Sequence, residues 1–142
     1  MNGFLLDTNV ISELVTRRPE PNVSHWVEGT DETLLHLSVL TLGEIRKGIA
    51  GLPQARRRAE LETWLNKGLR SRFAGRILPI DAEVADRWGH VSAQARSKNI
   101  QLPVIDGLLA ATALEHNLTF VTRNTRDVAG VGVLVLNPWE IS

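Results

Sequence analysis

The chain has 142 residues, of which 43% are hydrophobic and 23% charged, with no cysteine and a formal net charge of zero; this suits one globular domain over 1–142 and excludes wholesale disorder, disulfide scaffolds and thiol chemistry. Zero net charge also argues against a protein that clings to nucleic acid by bulk charge alone. No apolar stretch approaches the roughly 20 residues a bilayer span needs, and the amino end lacks a signal peptide's basic region and long apolar core, so a soluble, cytoplasmic protein without a membrane partner is expected.

Gly3-Phe4-Leu5-Leu6 is short and apolar and predicts a strand. Asp7-Thr8-Asn9, three residues that favour helix starts, lead into Val10-Ile11 and Leu14-Val15 at helical spacing. Arg17-Arg18-Pro19-Glu20-Pro21 breaks the chain before a short helix over Val23 to Glu28, and Leu34 to Val39 reads as a second buried strand. Thr41-Leu42-Gly43-Glu44 matches the capping box at the start of a helix ending near Gly51.

Pro53 is placed to open a further helix, where Leu61, Trp64, Leu65 and Leu69 make an apolar stripe that Gly75 stops. Such a stripe must bury against the sheet or another chain, so Trp64 is a candidate for core packing or for an interface. Ile77-Leu78-Pro79-Ile80 contains proline and is therefore an edge or end strand. Asp81 caps a helix with Val84, Ala85, Trp88, Val91 and Ala95 inward, fraying at Lys98-Asn99. Pro103 opens another, with Asp106 in its first turn, and Leu118–Thr122 and Val131–Leu136 are the last two strands. Strands alternating with helices imply an α/β fold with a central parallel sheet of four to five strands flanked by helices.

Charge is unevenly spread. From Arg46 to Arg76 nine basic residues stand against Glu60 and Glu62, a local net of +7 that leaves −7 for the remainder, and thirteen of the sixteen basic residues are arginine. Arginine's planar fork suits phosphate contacts, so Arg56, Arg57, Arg58, Arg70 and Arg72 are candidates for steering a nucleic-acid backbone; a solvated helix face is the competing reading.

Asp7, Glu44, Asp106 and Asp127 each sit where an apolar run gives way to a turn or a helix. In an open parallel sheet those places lie along one edge, so acids distant in sequence can converge there. Crowded carboxylates repel one another unless protons or a cation neutralise them. Hard oxygen donors, with no cysteine and four scattered histidines, point to Mg²⁺ or Mn²⁺ rather than zinc. Each acid also has a structural role open to it: Asp7 as a cap, Glu44 in the capping box, Asp106 complementing a helix dipole, Asp127 in an Asx-turn. His36 reads as a satisfied core residue, and the four tryptophans as core or interface packing.

Two other classes fit parts of the pattern. Strand-Asp-Thr also occurs in Mg²⁺-dependent phosphatases with an aspartyl nucleophile, although the second acid two residues on is replaced by Asn9. A non-enzymatic α/β binding module, its acids only capping helices, is the third reading.

Leu5-Leu6-Asp7-Thr8-Asn9-Val10-Ile11-Ser12-Glu13, then Thr41-Leu42-Gly43-Glu44-Ile45-Arg46-Lys47-Gly48-Ile49, then Asp106 with Ala110-Ala111, then Val121-Thr122-Arg123-Asn124-Thr125-Arg126-Asp127 together resemble the PIN-domain ribonucleases, and within them the VapC-type toxins of bacterial toxin–antitoxin pairs. The resemblance covers nearly the whole chain. It implies a single PIN-like domain and a Mg²⁺- or Mn²⁺-dependent endoribonuclease acting on RNA. Asp7, Glu44, Asp106 and Asp127 would form its metal-binding and catalytic quartet, supported by Thr8, Thr122 and Asn124. It further implies a homodimer and a cognate antitoxin that blocks the cleft with a carboxyl-terminal segment. The chain departs from the family's usual pattern at Val128, where phenylalanine is common, and at Asn124, where an acid often stands.

Overall fold

In a computed structural model that describes residues 2–141, the first strand, β1 (Phe4–Leu6), is fully buried and runs into α1 (Thr8–Leu14). Asp7 caps that helix, its carboxylate accepting the Thr8 amide. Helix α2 (Pro21–Glu28) follows with Pro21 at its first turn, two residues before the predicted start, because proline's fixed φ already suits that position. A single 3₁₀ turn over Glu32–Leu34, not foreseen, leads to β2 (Leu35–Ser38).

Thr41-Leu42-Gly43-Glu44 does not form the expected capping box. Helix α3 (Val39–Ala50) starts two residues before Thr41 and is capped by Ser38, whose hydroxyl accepts the Leu40 amide at 3.0 Å. Thr41 is therefore inside the helix and fully buried, and Glu44 lies on its second turn with its side chain free for other contacts.

Pro53 does not open the next helix. It sits in a bend, and α4 (Ala55–Thr63) begins two residues later. The helical run then widens into a π-helical turn over Trp64–Leu69 before α5 (Arg70–Arg72). The wider turn stacks Leu65, Leu69 and Phe73, spaced four apart, on the core, where each is buried. Leu61 and Trp64 pack partly buried against the same cluster, so the stripe is at least in part a core contact.

Strand β3 (Ile77–Leu78) is at the sheet edge, where the proline of its segment costs no ladder bond. Asp81 caps α6 (Ala82–Ser97) through the Val84 amide at 2.9 Å. Val84, Val91 and Ala95 are buried, but Ala85 faces solvent: it follows Val84 directly and is carried off the inward stripe. Helix α7 (Val104–Glu115), β4 (Thr119–Val121), a 3₁₀ turn over Thr125–Val128 and β5 (Val135–Leu136) complete the chain. The last strand is shorter than the predicted 131–136, since Gly130 and Gly132 have φ of +82° and +85°, outside the extended region.

All pairings are parallel, in the order β3-β2-β1-β4-β5. The sheet has a core on each face because successive strand residues alternate sides. Phe4, Leu6, Leu35, Leu37 and Val121 belong to the cluster formed with α1 to α5, whereas Leu5 and Phe120 belong to the one formed with α6 and α7. Each fully buried aliphatic side chain contributes about 1.5–3 kcal/mol. His36 is held as expected, its Nδ1 lying 3.0 Å from the Leu34 carbonyl oxygen and 3.3 Å from that of Phe4. No helix among the described residues is long and apolar enough to cross a membrane.

Candidate active site

Strand β1 has β2 on one side and β4 on the other, so the chain's crossovers leave it in opposite directions and open a crevice beyond its carboxyl end. Asp7 ends β1 at that crevice and Thr122 ends β4 beside it. Across the gap the Thr122 hydroxyl donates to Asp7 Oδ2 at 2.7 Å, the Thr8 amide donates to Asp7 Oδ1 at 2.7 Å, and the Asn9 amide group reaches Oδ2 at 3.4 Å. The Asn124 backbone N–H donates to the Thr122 hydroxyl at 3.0 Å, fixing it in turn.

Glu44 arrives from α3. The Thr8 hydroxyl donates to its Oε1 at 2.6 Å and lies 3.1 Å from the Thr41 hydroxyl, so the helix that Asp7 caps is tied to the helix that carries Glu44. Asp106 enters from the first turn of α7. Asp7, Glu44 and Asp106 line one cleft of about 390 Å³ with Thr8, Asn9 and Asn124. Asp127, on the 3₁₀ turn, does not line that cleft, but its charge reaches Asp7 and Asp106.

Like-charge repulsion couples the four acids. Burial pushes the Asp7 carboxyl above its ordinary range, and the charges of Glu44 and Asp127 push the same way against the opposing hydrogen bonds from Thr122 and Thr8. Asp106 is raised to about 6, first by burial and then by the charges of Asp7, Asp127 and Glu44. Among the described residues no three His, Asp or Glu side chains are grouped closely enough to grasp an ion. The donor set still fits a hard divalent cation, being all oxygen and over-charged. One further oxygen is idle, for the amide acceptor Asn9 Oδ1 is buried without a hydrogen-bond partner.

Sequence reasoning missed five lining residues, Ser12, Glu13, Asn9, Arg123 and Trp139. The first two follow Thr8 and Asn9 by one helical turn, a spacing that places them on the same face. Arg123 stands directly between Thr122 and Asn124, and that adjacency was the available signal. Trp139 belongs to no motif; only the packing of the carboxyl-terminal segment, where the Trp139 carbonyl accepts from Asn22 Nδ2 at 3.1 Å, brings it to the cleft.

A family model described as the PIN domain matches residues 4–132. The chain belongs to the PIN domain family. Among PIN domain relatives, toxin FitB of Neisseria gonorrhoeae is 37% identical over 137 residues, spanning 96% of this chain and 99% of that protein. The VapC ribonuclease Y4jK of Sinorhizobium fredii is 35% identical, spanning 96% of this chain and 98% of that protein. A crystal structure of FitAcB from Neisseria gonorrhoeae superposes with a TM-score of 0.94 at 36% identity, covering 97% of this chain and 99% of that one. The likeness therefore extends over the whole PIN fold rather than over the acidic motifs alone.

Proposed function

We propose that the chain is a divalent-metal-dependent endoribonuclease, the toxin of a toxin–antitoxin pair, using Mg²⁺ or Mn²⁺ held by Asp7, Glu44, Asp106 and Asp127. The observation that carries this is the cleft that Asp7, Glu44 and Asp106 line from three separate elements, with the charge of Asp127 reaching Asp7 and Asp106. The similarity to a VapC ribonuclease and to toxin FitB supports the same activity and setting.

When bound, the metal would polarise a scissile phosphate and lower the pKa of a water for in-line attack. The chain's own groups prepare that site. Thr122 and the Thr8 amide orient the two oxygens of Asp7, and the Thr8 hydroxyl orients Glu44. Asp106, whose carboxyl is raised to about 6 in the metal-free protein by burial and by its neighbours' charges, would hold the ion in place of its proton. Asn9 Oδ1 is an uncharged oxygen free to take a donor.

The solved neighbours include a complex of FitAB bound to DNA, which supports a cognate antitoxin as partner. An apolar groove of about 230 Å³ shares Thr8, Ser12 and Glu44 with the cleft and continues past Ile45, Leu61 and Trp64, a path on which a partner segment would cover the acids. A homodimer is part of the same reading. Exposed Val39, on a groove with Leu40 and Ile105, offers apolar surface for a second copy.

The test is to incubate RNA with purified, antitoxin-free protein and sequence the ends generated, with and without a chelator. Cleavage that needs added Mg²⁺ or Mn²⁺ is the expected result; undiminished cleavage in excess chelator would refute the mechanism.

A further inference from the structure

The carboxylate cleft poses a problem for a polyanion. Asp7, Glu13, Glu44 and Asp106 all line it, and Arg123 is the one basic residue among the ten that do. Phosphates flanking a scissile bond would meet several negative charges and a single positive one from the chain.

Arg123 is not consumed by those acids. Among the described residues its side chain makes no ion pair within 4.0 Å and no hydrogen bond, in contrast to Arg72, Arg76 and Arg87, which all pair with glutamates. Its guanidinium Cζ instead lies 5.3 Å from the centroid of the Trp139 ring. A cation–π contact uses the face of the guanidinium and leaves its in-plane N–H donors free for a bidentate acceptor.

Both partners are anchored. The Arg123 backbone lies between Thr122, locked to Asp7, and Asn124, whose N–H donates to Thr122; the Arg123 carbonyl accepts from Asn137 Nδ2 at 3.5 Å. The Trp139 amide donates to Asn137 Oδ1 at 2.9 Å, its carbonyl accepts from Asn22, and its ring packs partly buried on the first core cluster. Asn137 thus ties the arginine's loop to the tryptophan's segment. A long side chain held in this way loses less conformational freedom when it takes a ligand.

We propose that Arg123 receives a backbone phosphate of the RNA at the carboxylate cleft, and that Trp139 is a positioning residue that holds its guanidinium there. This rests on the nuclease reading above and adds to it the residue that brings substrate against the repulsion of the acids.

The experiment measures binding of a cleavage-resistant, phosphorothioate-linked single-stranded RNA by fluorescence anisotropy with Mg²⁺ across a KCl series, together with KM and kcat for the ordinary oligonucleotide. Arg123→Ala should weaken binding about tenfold and lower the salt slope by about 0.7, with the loss appearing in KM more than in kcat. Arg123→Lys should keep the slope and lose part of the affinity. Trp139→Leu should weaken binding in the parent but add nothing to Arg123→Ala, and Trp139→Phe should retain most of the affinity; melting temperatures check folding, and Trp139→Gln, which also lacks a ring, serves if Trp139→Leu does not fold. Unchanged affinity and slope in Arg123→Ala, in a parent that cuts RNA, would overturn the proposal alone. An equal effect of the Trp139 change with and without Arg123 would overturn the positioning role. A parent that neither binds nor cuts RNA would overturn the proposal and the nuclease reading together.

Discussion

The Thr122 hydroxyl donates to Asp7 Oδ2 at 2.7 Å across 115 residues of chain, joining the ends of two adjacent parallel strands at the switch point of the sheet. Thr122→Val keeps the shape, removes this donor and also strips the Asn124 N–H of its acceptor. Such a loss in a buried site should cost about 1–3 kcal/mol, push the Asp7 carboxyl further up and depress RNA cleavage, while Thr122→Ser should retain both properties. Thermal melts and cleavage rates check it; a valine variant as stable and as active as the parent would remove Thr122 from the site.

Asp106 gives a pH prediction with a definite sign. Its carboxyl is raised from an ordinary 3.8 to about 6, so between those values the folded protein holds a proton that the unfolded chain has lost. Stability of the metal-free protein should therefore fall as pH rises through that window, and Asp106→Asn should be at least as stable as the parent above pH 6. A group that only complements a helix start would behave oppositely, its loss costing about 0.3–1 kcal/mol.

Metal should reverse that ordering. At a hundredfold excess over Kd, Mg²⁺ should stabilise the parent by about 2.7 kcal/mol, more strongly above pH 6 than below it because the ion competes with the Asp106 proton. Asp106→Asn should gain far less and cut RNA poorly. Melts with chelator and with Mg²⁺ decide the matter, and equal metal-induced shifts in the two proteins would show that Asp106 is no ligand.

The arginine-rich segment divides into two groups. Arg72 and Arg76 both bind Glu32, whose carboxyl is held low chiefly by Arg72; Arg76 also donates to the Leu35 carbonyl at 2.7 Å, and both guanidinium groups lie over Phe73. Arg58 donates to the Leu52 carbonyl at 2.7 Å. Arg56 and Arg57 make only solvent-exposed contacts of 3.5 and 3.8 Å with Glu60, worth little. Changing Arg56 and Arg57 together should reduce the salt slope of RNA binding by about 0.7 for each phosphate no longer neutralised, whereas Arg76→Met should lower stability and leave the slope alone. Slopes that respond the other way round would show that the grouping is wrong.

Trp64 is half-buried against the first core cluster while also lining the groove beside Glu44. Trp64→Ala should lose roughly half of the 3–5 kcal/mol typical of a fully buried aromatic and weaken binding of the antitoxin, with Trp64→Phe recovering most of both. Calorimetry and a binding titration test this; a stable Trp64→Ala protein with full antitoxin affinity would deny it either role.

Local chemistry determined much of this protein. Largely apolar runs of four to six residues marked β1, β2 and β4, Asp7 and Asp81 announced their helices, and the proline of the third segment placed β3 at an edge, since each of these features acts through neighbours in the chain. Asp7 could be read as the exit of β1, because a parallel sheet gathers its strand ends along one edge, whereas Asp106 follows α6 rather than a strand and reaches the cleft from the first turn of α7. What only the tertiary structure decided depends on contacts between distant elements. Ser38 displaced Thr41 as the cap of α3, freeing Thr41 and Glu44 to meet Thr8; Arg72 and Arg76 were claimed by Glu32, and Trp139 was carried to Arg123. No periodicity encodes those meetings, because a side chain's final partner is set by the packing of the whole sheet rather than by its sequence neighbours.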